Sequence, residues 1–305
     1  MNVLIFGGTG TIGTALVKKK HKDWNITAYS RDEYKQAILR DKYRGCVDFI
    51  IGDVRDRDTV RYAISSKKPD MIVLASAMKR IEKCEESPSQ AVLTNVIGSS
   101  NVVELSLEFG IKRLVSISTD KAVEPSNVYG MTKAIQERIT TQAGYNCVRY
   151  GNVFGSRGSV VPLFLSQKEN NEYLTVTDKD MTRFFLKEED GVKLIEYALS
   201  HDMDGSIFVK PSKSIKVIDI ARAIVDDKYI KVIGSSKGEK KHESLLSLEE
   251  MSRTSYLEDD GYFKISKQLV SNNISGLYSS NYNSYENEYL TIDGIKELIK
   301  GLGES

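Results

Sequence analysis

Four residues stand out for the chemistry their types and spacing could support. Tyr129 and Lys133 lie four positions apart in a stretch with helical patterning, so both side chains project from one helix face. An ammonium beside a phenol favours the phenolate, moving its pKa from ~10 towards the working range of a general base. Asp120 and Lys121 form a second acid–base pair in the run Ser118-Thr119-Asp120-Lys121, which closes an apolar segment. Tyr-x-x-x-Lys alone is frequent on surface helices. Its position one helix after a strand end that carries Asp120 and Lys121 makes the combination specific, because α/β sheets bind ligands at the C-terminal ends of their strands. A purely structural salt bridge is the alternative for Asp120 and Lys121.

A dinucleotide site is expected at the other end of the same half of the chain. Gly7, Gly10 and Gly13, with Thr9, Thr11 and Ile12 between them, follow the first apolar run and open the first helical stretch. That context needs a tight turn, close backbone approach to a pyrophosphate, and phosphate at a helix N-terminus. The glycine spacing resembles that of extended short-chain dehydrogenases/reductases. Ser30 and Arg31 follow the second strand, where an NAD-preferring protein usually carries an acidic residue. A guanidinium there suits a ribose 2′-phosphate, so NADP is expected, with Lys35 nearby. Asp32 and Glu33 come next, leaving open an NAD reading in which Arg31 is a solvated helix-start residue. Asp53 and Val54 would border the adenine, and Ala75, Ser76, Ala77, Lys79 and Ser118 would line the cofactor together with Tyr129 and Lys133. Relatives that only oxidise and reduce need only the Ser/Thr, Tyr and Lys set, so Asp120 and Lys121 suggest proton chemistry beyond hydride transfer.

Positioning these groups requires alternating strands and helices. Candidate strands are 3–6, 25–29, 48–51, 71–74, 113–118 and 146–149, and candidate helices are 12–20, 33–40, 57–66, 88–109 and 128–142. This alternation predicts an α/β, Rossmann-like doubly wound parallel sheet. Beyond it the spacing becomes irregular, with helices expected at 188–199 and 218–225, a strand at 206–209 and a terminal helix at 291–302. The chain thus divides into a dinucleotide-binding domain over 1–160, carrying the catalytic residues, and a smaller substrate-binding lobe with its tail over 161–305. Residues 275–289, rich in Ser, Asn and Tyr, read as an extended loop whose tyrosines pack on something.

Composition narrows the function classes. With 43 Lys and Arg against 42 Asp and Glu, the chain offers no polyanion-binding surface, so nucleic acid is not an expected partner. Apolar runs fall well short of the ~20 residues needed to span a bilayer, and no leader is visible, so a soluble, cytoplasmic protein without a membrane partner is expected. Three scattered cysteines and three scattered histidines suggest reduced thiols and no metal.

Several runs carry a wider resemblance. Tyr29-Ser-Arg-Asp-Glu33, Ile51-Gly-Asp-Val-Arg-Asp56, Ser118-Thr-Asp-Lys-Ala122, Asn127-Val-Tyr-Gly-Met-Thr-Lys133, Arg149-Tyr-Gly-Asn-Val153, Gly155-Ser-Arg-Gly-Ser-Val-Val-Pro162, Met181-Thr-Arg-Phe184 and Gly238-Glu-Lys240 resemble the UDP-N-acetylglucosamine 4,6-dehydratases. Around the site the likeness is to the inverting, 5-epimerising enzymes of pseudaminic acid biosynthesis. The tail, with Tyr282-Asn-Ser-Tyr285 and Ile292-Asp-Gly-Ile-Lys-Glu-Leu298, is more similar to the capsule and O-antigen dehydratases.

The resemblance implies a redox-neutral cycle on a UDP-sugar. Tyr129, supported by Lys133, would take the O4 proton as hydride leaves C4. Lys121 would remove the C5 proton while Asp120 protonates the departing O6 hydroxyl, and Thr119 would hydrogen-bond O4. Lys79, Asn152, Val160, Thr177, Met181, Arg183 and Glu239 match substrate positions, with Arg183 a diphosphate partner. Without the family, Arg183 reads equally as a surface salt-bridge residue. Ser236 stands where the family usually has arginine, so either Lys237 or Lys240 would supply that charge or diphosphate affinity would be reduced, and Arg80 replaces a common His or Gln. A homo-oligomer, dimer or hexamer, is implied. The rivals are a retaining dehydratase or a 4-epimerase on a UDP-sugar, and a non-catalytic NADP-binding regulatory protein.

Overall fold

A computed structural model describes residues 1–302 of the chain, so the final three residues of the expected lobe lie outside the described residues. The first half alternates as expected: β1 (Asn2–Phe6), α1 (Thr11–Lys20), β2 (Asn25–Ser30), α2 (Glu33–Lys42), β3 (Val47–Ile51), α3 (Arg57–Lys67) and β4 (Met71–Leu74). The short helices α4 (Ile81–Glu86) and α5 (Pro88–Ala91) come next, followed by a π-helical segment over Val92–Ile97 and by α6 (Gly98–Glu108). Then come β5 (Arg113–Ile117), α7 (Val128–Gln142) and β6 (Asn146–Arg149).

The single helix expected over 88–109 is therefore interrupted. Its wide π turn delivers the buried Asn95 side chain to the backbone of Met78, accepting from its N–H at 2.7 Å and donating to its carbonyl at 2.9 Å. Such local widening trades helix regularity for a side-chain placement that 3.6-residue periodicity cannot give.

The second half supplies β7 (Asn152–Val153), α8 (Val160–Glu169), β8 (Leu174–Val176), β9 (Thr182–Leu186), α9 (Glu188–Ser200), β10 (Ile207–Val209), β11 (Ser214–Lys216), α10 (Val217–Ile224) and β12 (Ile230–Val232). After these come β13 (Ser244–Leu246), α11 (Leu248–Met251), β14 (Thr254–Leu257), β15 (Tyr262–Ile265), β16 (Tyr282–Asn283) and α12 (Ile292–Leu302).

Among the described residues, nine strands form one sheet in the order β14-β15-β10-β6-β5-β4-β1-β2-β3. Its strands are parallel from β3 to β10, and β15 and β14 add an antiparallel edge. Strand β1 shows why two layers of helices are needed. Val3 and Ile5 join the cluster containing α1 and α9, whereas Leu4 and Phe6 join the cluster containing α3 and α6. A third cluster unites α8, α10 and α12 around Phe164, Ile220 and Ile295 and forms the core of the lobe.

A cut at residue 160 does not follow these layers. Helix α9 packs on the main sheet, and β10, β14 and β15 extend it, because their apolar faces complete clusters begun by the first half. The tyrosine-rich segment also packs: Tyr282 stacks on Phe184 with ring centroids 5.4 Å apart, and Ser284 is fully buried. Among the described residues, no helix is long and apolar enough to cross a membrane.

Candidate active site

The sheet order reverses between β1 and β4, and the glycine loop sits at that crevice. Gly7 has φ +87°, and a Cβ there would lie 2.8 Å from the Ala75 carbonyl carbon, so only glycine permits this approach of the loop to the end of β4. A cleft of about 370 Å³ opens here, lined by Gly7, Thr9, Gly10, Thr11, Ser30, Arg31, Asp32, Lys35, Asp53, Val54, Ala75, Ser76, Ala77 and Lys79. Most of the expected cofactor set is thus brought together. Ile12, instead, points its side chain into the core, leaving only its backbone at the helix start. A second hollow of about 450 Å³, near Trp24, Tyr197 and Tyr262, also touches Met1 and Met71 at the N-terminal ends of the central strands and contains none of the expected site residues.

At the cleft rim, Asp32 caps α2 by accepting from the Lys35 amide at 2.9 Å and also pairs with the Lys35 ammonium. Arg31 lies 3.6 Å from Asp53, whose carboxylate also binds Arg55 and is held below the ordinary range. Burial opposes that lowering, but the Arg55 hydrogen bonds and the charges of Arg31 and Arg55 together outweigh it. Arg157 and Thr94 also line the cleft. Arg157 donates to the Thr9 carbonyl at 2.6 Å, tying the loop after β7 to the glycine loop. Burial, together with Arg157 and Arg80, lowers the Lys79 pKa.

The residues expected to react gather around the turn after β5. Thr119 donates to Asp120 Oδ1 at 2.9 Å and caps the 3₁₀ turn of Asp120–Ala122. Lys121 Nζ donates to the same oxygen at 2.9 Å and to Asn152 Oδ1 at 3.2 Å. A Cβ on Gly130 would lie 2.1 Å from the Lys121 carbonyl oxygen, so this glycine lets α7 press against the turn and brings Tyr129 alongside Asp120. Asn127 caps α7 and also donates to the Gly238 carbonyl at 2.8 Å, joining the helix to the loop that carries Glu239.

The electrostatics differ from the sequence expectation at one point. Burial and the Asp120 charge push the Tyr129 phenol above its ordinary range, while Thr119 pulls the other way. Lys133 donates to the Ile117 carbonyl at 2.5 Å and to Gln136, rather than acting chiefly on Tyr129, and burial lowers it to about 8. For Lys121, burial favours the neutral amine, but Asp120, joined by Glu243 when that carboxyl is ionised, more than offsets it and raises the pKa. Glu243, missed in the sequence, lies 3.6 Å from Lys121 and is 1% exposed. No local motif could have signalled it, since only the return of the loop before β13 brings it to the turn after β5.

The expected substrate residues fall into two groups. Asn152 meets Lys121, and Arg183 lies 3.6 Å from Glu239. Arg183 is buried, not a surface residue; its guanidinium donates to the carbonyls of Thr182, Lys240 and Lys241 and so organises the Glu239 loop. Met181 lies in the core of the lobe, accepting from the Thr177 hydroxyl, and Val160 packs against that core. Lys240 spends its ammonium on the carbonyls of Val123 and Glu124, whereas Lys237 is exposed and pairs only loosely with Glu85 at 3.9 Å.

The sheet order, glycine crevice and Tyr129/Lys133 helix define a Rossmann-type protein of the short-chain dehydrogenase/reductase kind. Residues 3–265 match the model of the polysaccharide biosynthesis protein family, and the chain belongs to that family. It is similar to the UDP-N-acetylglucosamine 4,6-dehydratase (inverting) of Campylobacter jejuni subsp. jejuni serotype O:2, with 36% identity over 88% of this chain and 83% of that protein. It is also similar to a UDP-glucose 4-epimerase of Rickettsia felis, 34% identical over 98% of this chain and 95% of that one. Among solved structures, Pen from Bacillus thuringiensis superposes with a TM-score of 0.90 at 32% identity, covering 99% of this chain and 98% of that chain.

Proposed function

We propose that the chain is an NADP-dependent UDP-N-acetylglucosamine 4,6-dehydratase that inverts C5, yielding a 4-keto-6-deoxy sugar nucleotide for surface glycan synthesis. The observation that carries this reading is the buried Asp120–Lys121 pair, hydrogen-bonded to Thr119 and Asn152 beside Tyr129. An oxidoreductase acting at C4 alone has no use for a second acid–base pair there.

The glycine loop, the Asp53 and Ala75–Ala77 strand ends and Lys133 would hold the dinucleotide. When bound, it supplies reversible hydride acceptance at C4 and donation at C6. Tyr129 removes the O4 proton and Thr119 orients O4. Oxidation makes the C5 proton acidic; Lys121 takes it as Asp120 gives a proton to the departing O6 hydroxyl. Addition of a solvent-derived proton to C5 from the opposite face, as C6 accepts the hydride, inverts that centre. Arg183 and Glu239 place the nucleotide, with the exposed Lys237 as the cation for the diphosphate in place of the arginine missing at 236. Arg31 and Lys35 would receive the 2′-phosphate. With Arg31→Asp we expect preference to shift towards NAD, and unchanged NADP affinity in a binding titration rules out that role.

A UDP-sugar 4-epimerase is the second reading, favoured by the near-equal identity to the Rickettsia felis relative. Product NMR after incubation with UDP-N-acetylglucosamine in deuterated water separates the readings. A dehydratase gives a 6-deoxy-4-keto sugar with deuterium at C5 and an inverted centre; an epimerase returns an intact 6-hydroxyl and sinks the proposal. A homo-oligomer is also proposed, since Leu93, Ile97, Met131 and Ile135 are exposed on the packed π-helical segment and α7.

A further inference from the structure

Glu243 is a buried carboxyl that the chemistry above does not use. It is 1% exposed, and neither side-chain oxygen has a hydrogen-bond partner among the described residues. Its backbone is held on both sides: the amide donates to Ser284 Oγ at 3.0 Å, and the carbonyl accepts from the Ser284 amide at 2.8 Å. The side chain is therefore fixed beside Lys121 and not left there by a flexible loop.

Burial opposes an ionised form of Glu243, and the cations around it favour one without giving it a hydrogen bond. Lys121, the nearest cation, lies 3.6 Å from Oε1, beyond hydrogen-bond range, and its donated bonds go to Asp120 and Asn152. Asp120 adds negative charge to the same space. Arg183 and Lys240 face Glu243 as well, but Arg183 pairs with Glu239 and the Lys240 ammonium is bound to two backbone carbonyls. Neighbouring His242 is turned away onto the Thr182 hydroxyl at 2.8 Å. One ammonium thus lies between two buried carboxylates, one of which it bonds and one of which it does not. A buried carboxylate without hydrogen bonds is costly, whereas the protonated acid leaves only weaker polar groups unpaired. Burial accordingly raises the Glu243 carboxyl above the ordinary range, against the opposing pull of Lys121.

We propose that Glu243 is a proton-holding positioning residue: kept neutral beside Lys121, it leaves Lys121 and Asp120 to share a single proton between them. That sharing has a defined consequence, which rests on the dehydratase reading. The pair exists as ammonium and carboxylate or, after one proton moves along the 2.9 Å contact, as amine and carboxylic acid. The second form is the base and acid that elimination needs. The Lys121 amine takes the C5 proton, the C5–C6 double bond forms, and the C6–O6 bond breaks. Asp120 donates to the leaving hydroxyl, and water departs. The pair is then ammonium and carboxylate again, with every proton accounted for. An ionised Glu243 would hold the proton on Lys121 and suppress the amine form, so turnover should fall as Glu243 loses its proton at alkaline pH.

The test uses the full chain and two readouts. Infrared spectroscopy of the wild type near neutral pH should show a protonated-carboxyl carbonyl band that is absent from Glu243→Gln and disappears on alkaline titration. No such band, or the same band in both proteins, overturns the proposal. The pH profile of solvent deuterium entry at C5 of UDP-N-acetylglucosamine is the second readout. Its alkaline decline should be present in the wild type and lost in Glu243→Gln, with neutral-pH rates within a few-fold; identical declines overturn the gating role. A wild type that shows the band but no deuterium at C5 removes the dehydratase reading and leaves the protonated Glu243 standing. Should Glu243→Gln fail to fold, Glu243→Asp and the wild-type infrared titration carry the test, with a shifted decline expected and an unshifted one counting against it.

Discussion

Arg149 and Lys121 are both buried cations flanked by two carboxylates, yet only one of these sites satisfies all its carboxylate oxygens. Arg149 donates to both oxygens of Glu137, at 2.9 and 2.7 Å, and to both oxygens of Glu250, at 2.8 Å each. Around Lys121, Asp120 Oδ2 and both Glu243 oxygens have no hydrogen-bond partner among the described residues. The difference begins with side-chain chemistry: a planar guanidinium presents five donors as a fork, and an ammonium presents three from one point. Burial works against the charge on Glu250, but Arg149 prevails and lowers its pKa; at Glu243 burial prevails and raises it. A saturated cluster clamps α7, β6 and α11 together. An unsaturated one leaves its protons free to move.

The largest effect is expected from breaking the clamp. Arg149→Met strands two carboxylates in the core and should cost ~3–5 kcal/mol in denaturant unfolding. A loss below ~1 kcal/mol would show that Arg149 is not what holds these elements. At the other cluster, Lys121→Ala should reduce dehydration by about a thousandfold while dinucleotide binding persists. Near wild-type formation of the keto sugar by that variant removes Lys121 from the mechanism.

Paired substitutions sharpen the contrast at smaller magnitude. Glu250 has a lowered pKa in the fold, so its stabilisation is present above the unfolded value and disappears as pH falls through the folded one. Glu243 has a raised pKa, so its contribution is full below the ordinary carboxyl range and is lost as pH rises through the folded value. At neutral pH and above, Glu250→Gln should destabilise by ~1–3 kcal/mol, whereas Glu243→Gln should be neutral or stabilising. Thermal melts across pH that show the two moving together would erase the distinction. The smallest effect should come from Lys237→Ala. It should raise KM for the nucleotide sugar about fivefold, as expected for an exposed charge worth up to ~1 kcal/mol, with kcat unchanged. Steady-state kinetics showing no change in KM would leave position 236 without a substitute.

Much of the positioning frame was legible in the sequence because it rests on local signals. Short apolar runs marked β4 and β6 at their observed limits, and the helical patterning of 128–142 marked α7. The cofactor cleft could be read from glycine spacing, since a turn needing φ > 0 allows few other residues. What could not be read depended on contacts between distant segments. The π widening at Val92–Ile97 answers to Met78, and Arg157 reaches the glycine loop from beyond β7. The edge hairpin of β14 and β15 consists of short strands that gain their place only by extending β10.

The sequence by itself determined the doubly wound sheet, the glycine crevice and the presence of Tyr129, Lys133, Asp120 and Lys121 at neighbouring strand and helix ends, because backbone periodicity and turn sterics act over a few residues. Tertiary structure alone decided which charges those groups feel. It buried Tyr129, engaged Lys133 with Ile117 and Gln136, turned Arg183 inward, and set Glu243 against Lys121. Desolvation and Coulomb energy depend on distance and burial in space, and neither is encoded in spacing along the chain.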